Sequence, residues 1–261
     1  MTELVNIITD YAPISSNHRP GYKMTANRGV TVHETGNFGK GANALAHRNY
    51  YHRLCKTNDA AQEIGYTGFV DDKIAYLVQP LDEVAWTCGK REGNNTTCSI
   101  EICENPECNF DIARDNGAYF AAWILWKKGH TQVIDGMQDK INGNLWQHYS
   151  WTGKNCPQQI RARGLWEEFV QATAKYLAAF CGKPAVTTTT PTAKPKLYRI
   201  ICDELNVRSA PGTQSKIVTV VHKNEVYTIV ATQTVGTTPW GKLKSGAGWI
   251  SLGEKYARCV Q

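Results

Sequence analysis

The sequence predicts two domains of different class, an α/β or α+β domain over residues 1–181 and a small all-β barrel over residues 197–261. Three observations lead there. Short β-rich runs alternate with helical stretches before residue 182, a Pro/Thr-rich stretch occupies 182–196, and only short strands divided by turn residues follow.

In the first domain the runs Val30–Glu34, Ile74–Val78 and Cys98–Cys103 read as strands, and the stretches Ala42–Leu54 and Gly117–Lys128 as helices. From Pro157 onward the apolar residues Ile160, Trp166, Phe169, Val170, Ala174, Leu177 and Phe180 recur mostly at three- and four-residue steps, which predicts one buried stripe on one helix. Pro157 suits its first turn, Cys156 its N-cap, Gly182 its C-cap, and Pro184 stops continuation. Pro184, Pro191 and Pro195, with the threonine run Thr187 to Thr190, then forbid helix and central strand and predict a semi-extended linker. Beyond it, strands are expected at Tyr198–Cys202, Ile217–Val221, Val226–Ala231, Trp240–Lys244 and Gly248–Ser251.

Composition narrows the function classes. The chain has 261 residues, 42% hydrophobic and 20% charged, and so carries enough core formers for two folded domains. No run of about eighteen apolar residues occurs, which excludes a transmembrane helix and stable membrane insertion. Glu3, Asp10, His18 and Arg19 interrupt the opening segment, so no cleavable leader is expected and synthesis in the cytoplasm is. Nine cysteines are an odd number, and the spacing of Cys88, Cys98, Cys103 and Cys108 is not that of paired Cys-x-x-Cys zinc clamps. Reduced thiols, buried or half-exposed, are expected for most of them. The net charge of +6 is unevenly spread: residues 1–182 hold 18 Lys+Arg against 19 Asp+Glu (−1), and residues 183–261 hold 11 against 4 (+7). With no long Lys/Arg cluster, the excess does not suggest nucleic acid as a partner.

A hydrolytic zinc site needs three protein ligands, an open position for water and a carboxylate nearby to move protons. His47 and His52 are five apart on a predicted helix, about 140° around its axis, so they cannot chelate one ion and are expected on a solvated face. His18, His130 and His222 have no ligand-type neighbour and are expected at the surface. His33 differs, because Val30 and Val32 would face the core and leave it pointing the other way. The same parity sets Glu101 opposite Ile100 and Ile102, either as a poorly solvated carboxylate or as an edge charge facing water. His148 and Cys156 flank a loop before the last helix, and a thiol at a helix N-terminus would have its pKa lowered, with Lys154 adding positive charge. On these residues alone, a loop histidine and a buried cysteine remain a somewhat better reading than a ligand pair.

Four segments together resemble the zinc-dependent N-acetylmuramoyl-L-alanine amidases of the type 2 family, which includes the peptidoglycan recognition proteins. They are Val32-His33-Glu34-Thr35, the stretch from Ala44 to Tyr51 with His47 inside it, the run from Ser99 through Glu101 to Asn105, and His148 followed by Lys154-Asn155-Cys156-Pro157. The resemblance covers roughly residues 25–180 and implies a central mixed sheet flanked by helices. It makes His33, His148 and Cys156 the ligands of one Zn2+, Glu101 the general base and Lys154 an oxyanion stabiliser. The Ser-Ile-Glu-Ile wording points to the Gram-positive phage endolysin branch. Asn37, Phe38, Tyr51 and Trp86 are groove candidates. Many relatives carry Trp-His where this chain has Trp86-Thr87, so the role of that histidine is missing or moved.

The run Asn206-Val207-Arg208-Ser209, with Gly248-Trp249-Ile250, resembles bacterial SH3-type wall-binding domains. Trp249 is expected to pack the barrel, and Cys202 would approach Cys259 if the terminal strands pair. A basic module suits the anionic polymers of a Gram-positive wall and would raise the local concentration of a linked enzyme. The implied function is a peptidoglycan hydrolase that acts on the wall after release, holin-dependent if phage-encoded. Alternatives are a host autolysin, a binding-only protein of the recognition class, and a cytoplasmic recycling amidase. Retention of Cys156 argues against the binding-only reading and the wall-binding module against recycling.

Overall fold

The computed structural model describes residues 5–60, 63–182, 196–209, 211–213, 215–235 and 238–260. The chain separates into two compact units, Met1–Val186 and Thr187–Gln261. From 183 to 195 the expected linker lies outside the described residues.

In the first unit β1 (Asn6–Thr9), β2 (Val30–Glu34), helix α1 (Ala44–Thr57), β3 (Gly68–Val70), β4 (Ile74–Leu77), the short α2 (Arg91–Thr96), β5 (Cys98–Ile102), α3 (Phe110–Lys127), β6 (Leu145–Gln147), α4 (Tyr149–Thr152), α5 (Gln158–Ala162) and α6 (Trp166–Phe180) follow in order. The six strands form one mixed sheet in the order β1-β4-β3-β5-β2-β6, with only the β3–β4 pair antiparallel. Every residue of β2 and β5 is buried, as strands covered on both faces must be. Val30, Val32, Ile100 and Ile102 join the main core with Phe120, Ile124, Phe169 and Leu177, so α3 and α6 cover one face. α3 begins before the predicted helix, because Asn109 caps it by accepting the Asp111 and Ile112 N–H groups. Gly117 allows its close approach, since a Cβ there would lie 2.8 Å from Ile102 Cδ1. On the opposite face α1 packs Ala44, Tyr51 and Cys55 against Phe69, Tyr76 and Cys103.

Several expectations are corrected. The stripe after Pro157 is not one helix: Arg163 closes α5, Gly164 turns the chain at φ +67°, and α6 starts afresh at Trp166. Pro157, in extended conformation, is the N-cap residue of α5, so Cys156 stands outside the helix. His18 is fully buried, with Nδ1 at 3.1 Å from the Ile64 carbonyl. His52 is half-buried, its Nε2 3.0 Å from the Asp10 carbonyl.

Arg19, next to His18 in the chain, is tied down as well. Its guanidinium donates to both carboxylate oxygens of Glu83 at 2.8 and 3.2 Å and to the Ala12 carbonyl, and both charged residues are buried. Glu83→Ala would strand a buried cation and is expected to lower stability by about 3–5 kcal/mol. A urea midpoint within error of wild type would refute this.

The second unit is all β: β7 (Lys196–Ile200), β8 (Glu204–Arg208), β9 (Ile217–His222), β10 (Val226–Val235), β11 (Thr238–Leu243), β12 (Trp249–Ser251) and β13 (Ala257–Cys259). They form an antiparallel sheet in the order β13-β7-β10-β11-β12-β8-β9 around Ile200, Leu205, Val207, Val221, Ile229, Leu243 and Ile250. Trp240 and Trp249 are buried. The terminal strands do pair, but the register sets Cys259 opposite Tyr198 rather than Cys202, and no disulfide joins any of the nine cysteines, all of which lie among the described residues. Among the described residues no helix is long and apolar enough to cross a membrane.

Candidate metal centre and groove

The sheet register builds one wall of the site. His33 on β2 lies directly beside Glu101 on β5, which lies beside Phe69 on β3, which lies beside Tyr76 on β4. Strand parity therefore puts all four side chains on one face in a single row, and Val32 and Ile100 on the other. His33 Nδ1 is 3.8 Å from Glu101 Oε1.

The other two donors come from the far side of β2. β6 pairs with β2 through Val32 and Gln147, and the next residue, His148, donates its N–H to the Val32 carbonyl. Its Nδ1 lies 3.0 Å from His33 Nδ1. One turn of helix and Gly153, at φ +77°, return the chain, and the Tyr149 N–H bonds the Cys156 carbonyl at 3.0 Å. The His33, His148 and Cys156 donor atoms all lie within 4.8 Å of one another, and the three residues are buried. Two imidazole nitrogens in contact beside a thiol suit a tetrahedral ion with bonds of about 2.0–2.3 Å, which needs donors roughly 3–4 Å apart.

Burial sets the charge states. It is the main cause that holds His33 well below the usual histidine pKa, with His148 and Lys154 adding to it. His148 is lowered to about 4 by burial and then by Lys154, so both rings are neutral near pH 7, the form that ligates. Cys156 is pushed up to about 12, by burial first and Glu101 next, against the lowering expected for a helix N-terminus. That expectation fails because the thiol precedes the N-cap and burial dominates. Glu101 is raised well above the carboxylate range by burial, opposed by Lys154 and reinforced by Glu104 and Glu34.

Two further buried carboxylates clasp the loop. Glu34, next to His33, accepts the backbone N–H of Gln159 at 2.6 Å and of Ile160 at 2.9 Å, while Glu104 accepts from the Gln158 and Gln159 amides and from the Gly36 N–H. The strand ends that carry His33 and Glu101 are thereby tied to the first turn after Cys156. Glu34→Gln removes one of these acceptors and is expected to weaken divalent-metal binding roughly 10- to 100-fold. Chelator competition showing unchanged affinity would sink the idea.

The donors open into a cavity of about 490 Å3, with Glu101 and exposed Lys154 on the same side. Ala42, Ala46, His47, Tyr50, Ile64, Tyr66, Phe69 and Trp86 complete its lining. Asn37 and Trp86 line it, as does Thr87, whose hydroxyl bonds that of Ser99. Phe38 is 56% exposed and outside the lining, and Tyr51 is fully buried with its hydroxyl donating to the His18 carbonyl. The adjacent Tyr50 faces the groove instead. His47 stacks on Phe69 at 5.5 Å, not on a solvated face. Counting 100° steps from Ala44 would have placed His47 inside the buried stripe with Tyr51 and Leu54.

The family model described as N-acetylmuramoyl-L-alanine amidase matches residues 23–159, just over half of the chain. This chain belongs to that family. A bacterial SH3 domain model matches residues 203–256 of the second unit. The amidase XlyA of Bacillus subtilis is 34% identical over 168 residues, 64% of this chain and 50% of the relative. CwlH from the same organism is 34% identical over 160 residues, 60% of this chain and 57% of the relative. The chain thus spans about half the length of the curated relatives it matches. Among solved structures, the catalytic domain of XlyA aligns with a TM-score of 0.53 at 31% identity, covering 65% of this chain and 99% of that one. The PlyG catalytic domain aligns with a TM-score of 0.54 at 26% identity, covering 72% of this chain and 100% of that one.

Proposed function

We propose that the chain is an endolysin-type peptidoglycan hydrolase that cleaves the amide between N-acetylmuramic acid and L-alanine, with residues 1–181 catalytic, 182–196 a tether and 197–261 a wall-binding module. The observation that carries this reading is the convergence of His33, His148 and Cys156 beside Glu101 in one groove of an amidase-family fold. A complete donor set favours catalysis over binding alone.

A single Zn2+ held by His33, His148 and Cys156 would supply a Lewis acid and a water of lowered pKa. Glu101 takes the proton of the attacking water and passes it to the departing amine. The Lys154 ammonium stabilises the negative charge that develops on the carbonyl oxygen. Asn37 and Trp86, with the aromatic wall, hold the substrate. The basic second domain is drawn to anionic wall polymers and keeps the catalytic unit on its insoluble substrate.

The three donors should release one proton on zinc uptake. His148 is neutral above about 4, while Cys156 stays protonated up to about 12, so of the three donors only the thiol gives up a proton on binding near neutral pH. Affinity is expected to tighten at least about tenfold per unit between pH 6 and 8. A pH-independent dissociation constant would contradict the thiolate ligand.

Mass spectrometry of digested wall tests the activity. New alanine amino termini that disappear on chelation are expected, and cleavage at a sugar bond or within the peptide would overturn the reading.

A further inference from the structure

A second cleft of about 550 Å3 adjoins the groove at Trp86, which lines both. Gly89 in its floor abuts the metal centre: a Cβ there would lie 3.9 Å from His148 Nε2. Asn94 links the two spaces as well. Its Oδ1 accepts the N–H groups of Thr87 and Cys88 at 3.1 and 2.7 Å, which leaves its amide N–H groups as the free donors.

The cleft carries cations without matching acids. Lys23 is held by Asp82 at 2.9 Å, and the Glu92 beside Arg91 is taken by Arg28. Lys90 and Arg91, both exposed in the lining, have no carboxylate partner among the described residues, and Glu63 is the one acid there. Tyr22, 64% exposed, adds a ring beside Trp86.

We propose that this cleft binds the peptide side of the substrate through a carboxylate, which Lys90, Arg91 and the Asn94 amide receive after the chain has crossed Trp86. This rests on the amidase reading above. Of the two sides of a muramoyl-peptide bond, the peptide carries carboxylates, whereas the N-acetylated sugar offers hydroxyls and amides. Two cations and an amide donor therefore select the peptide, and they discriminate a carboxylate from its carboxamide.

The test uses the full chain loaded with zinc and two muramoyl-peptides that differ only in a carboxylate or a carboxamide at the second peptide residue. Wild type is expected to prefer the carboxylate form roughly tenfold in kcat/KM, mainly through KM, and Lys90→Gln with Arg91→Gln to bring the ratio to about one. The ratio is internal to each protein, so partial unfolding of the variant moves both rates together. A wild-type ratio near one, or a preference that survives in the variant, overturns the proposal while leaving the amidase reading intact. Cleavage of neither peptide overturns both. Inhibition by soluble polyglycerol phosphate, lost in the variant and accompanied by a wild-type ratio near one, assigns the cleft to wall-polymer phosphate and overturns the peptide reading.

Discussion

Replacing Cys156 by alanine is expected to remove both bound zinc and wall hydrolysis. The residue sits at the junction of everything that shapes the site: its carbonyl fixes the return of the His148 loop through the Tyr149 N–H, and α5 starts just beyond it, clasped by Glu34. The backbone contacts survive the substitution, so the loop keeps its path. What is lost is the one donor that becomes an anion. Two neutral imidazoles remain, and three-ligand sites depend on the full set. A metal ligand should matter more than its outer partners, whose loss costs 10- to 100-fold, so affinity should fall by more than about 100-fold. With it should go activity by at least about 10³, because neither a Lewis acid nor an activated water is left. Zinc content after dialysis and release of alanine amino termini are the two readouts. A variant that keeps stoichiometric zinc and near-normal hydrolysis would show that Cys156 is an ordinary buried thiol. Serine at the same position should behave like alanine, since a hydroxyl is not ionised at neutral pH.

Much of this centre was legible in the sequence, because strand parity is a local property. Val30, Val32, Ile100 and Ile102 dictate which way His33 and Glu101 point, and the sheet realises that pattern in register. Less legible was what brings His148 to His33. β6 is only three residues long, too short for a periodic signal, and its place beside β2 is a long-range pairing. The helix break at Gly164 was hidden by an apolar spacing that continues across it from Ile160 to Phe169. His18 and Arg19 look like surface residues in sequence, and the hydrogen bonds that let them be buried come from the distant Ile64 and Glu83 and from the Ala12 carbonyl. Tyr50 and Tyr51 could not be ranked by composition, yet a 100° step between neighbours sends one into the groove and the other into the core. In the second unit, the Asn206-Val207-Arg208 motif lies within β8, a strand outside those the sequence predicts and paired with β9.

Glu101→Gln separates chemistry from metal binding. The carboxylate is nearly enclosed, flanked in register by His33 and Phe69, and its charge is opposed by burial and by two other acids while Lys154 favours it. A group so placed is poised to hold a proton, and a bound dication beside it shifts the balance toward the anion that a general base must be. Glutamine fills the same volume and keeps an acceptor oxygen, so the row His33, residue 101, Phe69 should remain packed and the three donors untouched. Zinc stoichiometry and thermal stability are therefore expected to match wild type. The amide cannot accept a proton from water or deliver one to the amine, and kcat is expected to drop about 10²- to 10⁴-fold with little change in KM. Hydrolysis within a few-fold of wild type would remove Glu101 from the proton path. Loss of zinc together with activity would instead make it a structural neighbour of His33, whose Nδ1 is only 3.8 Å away.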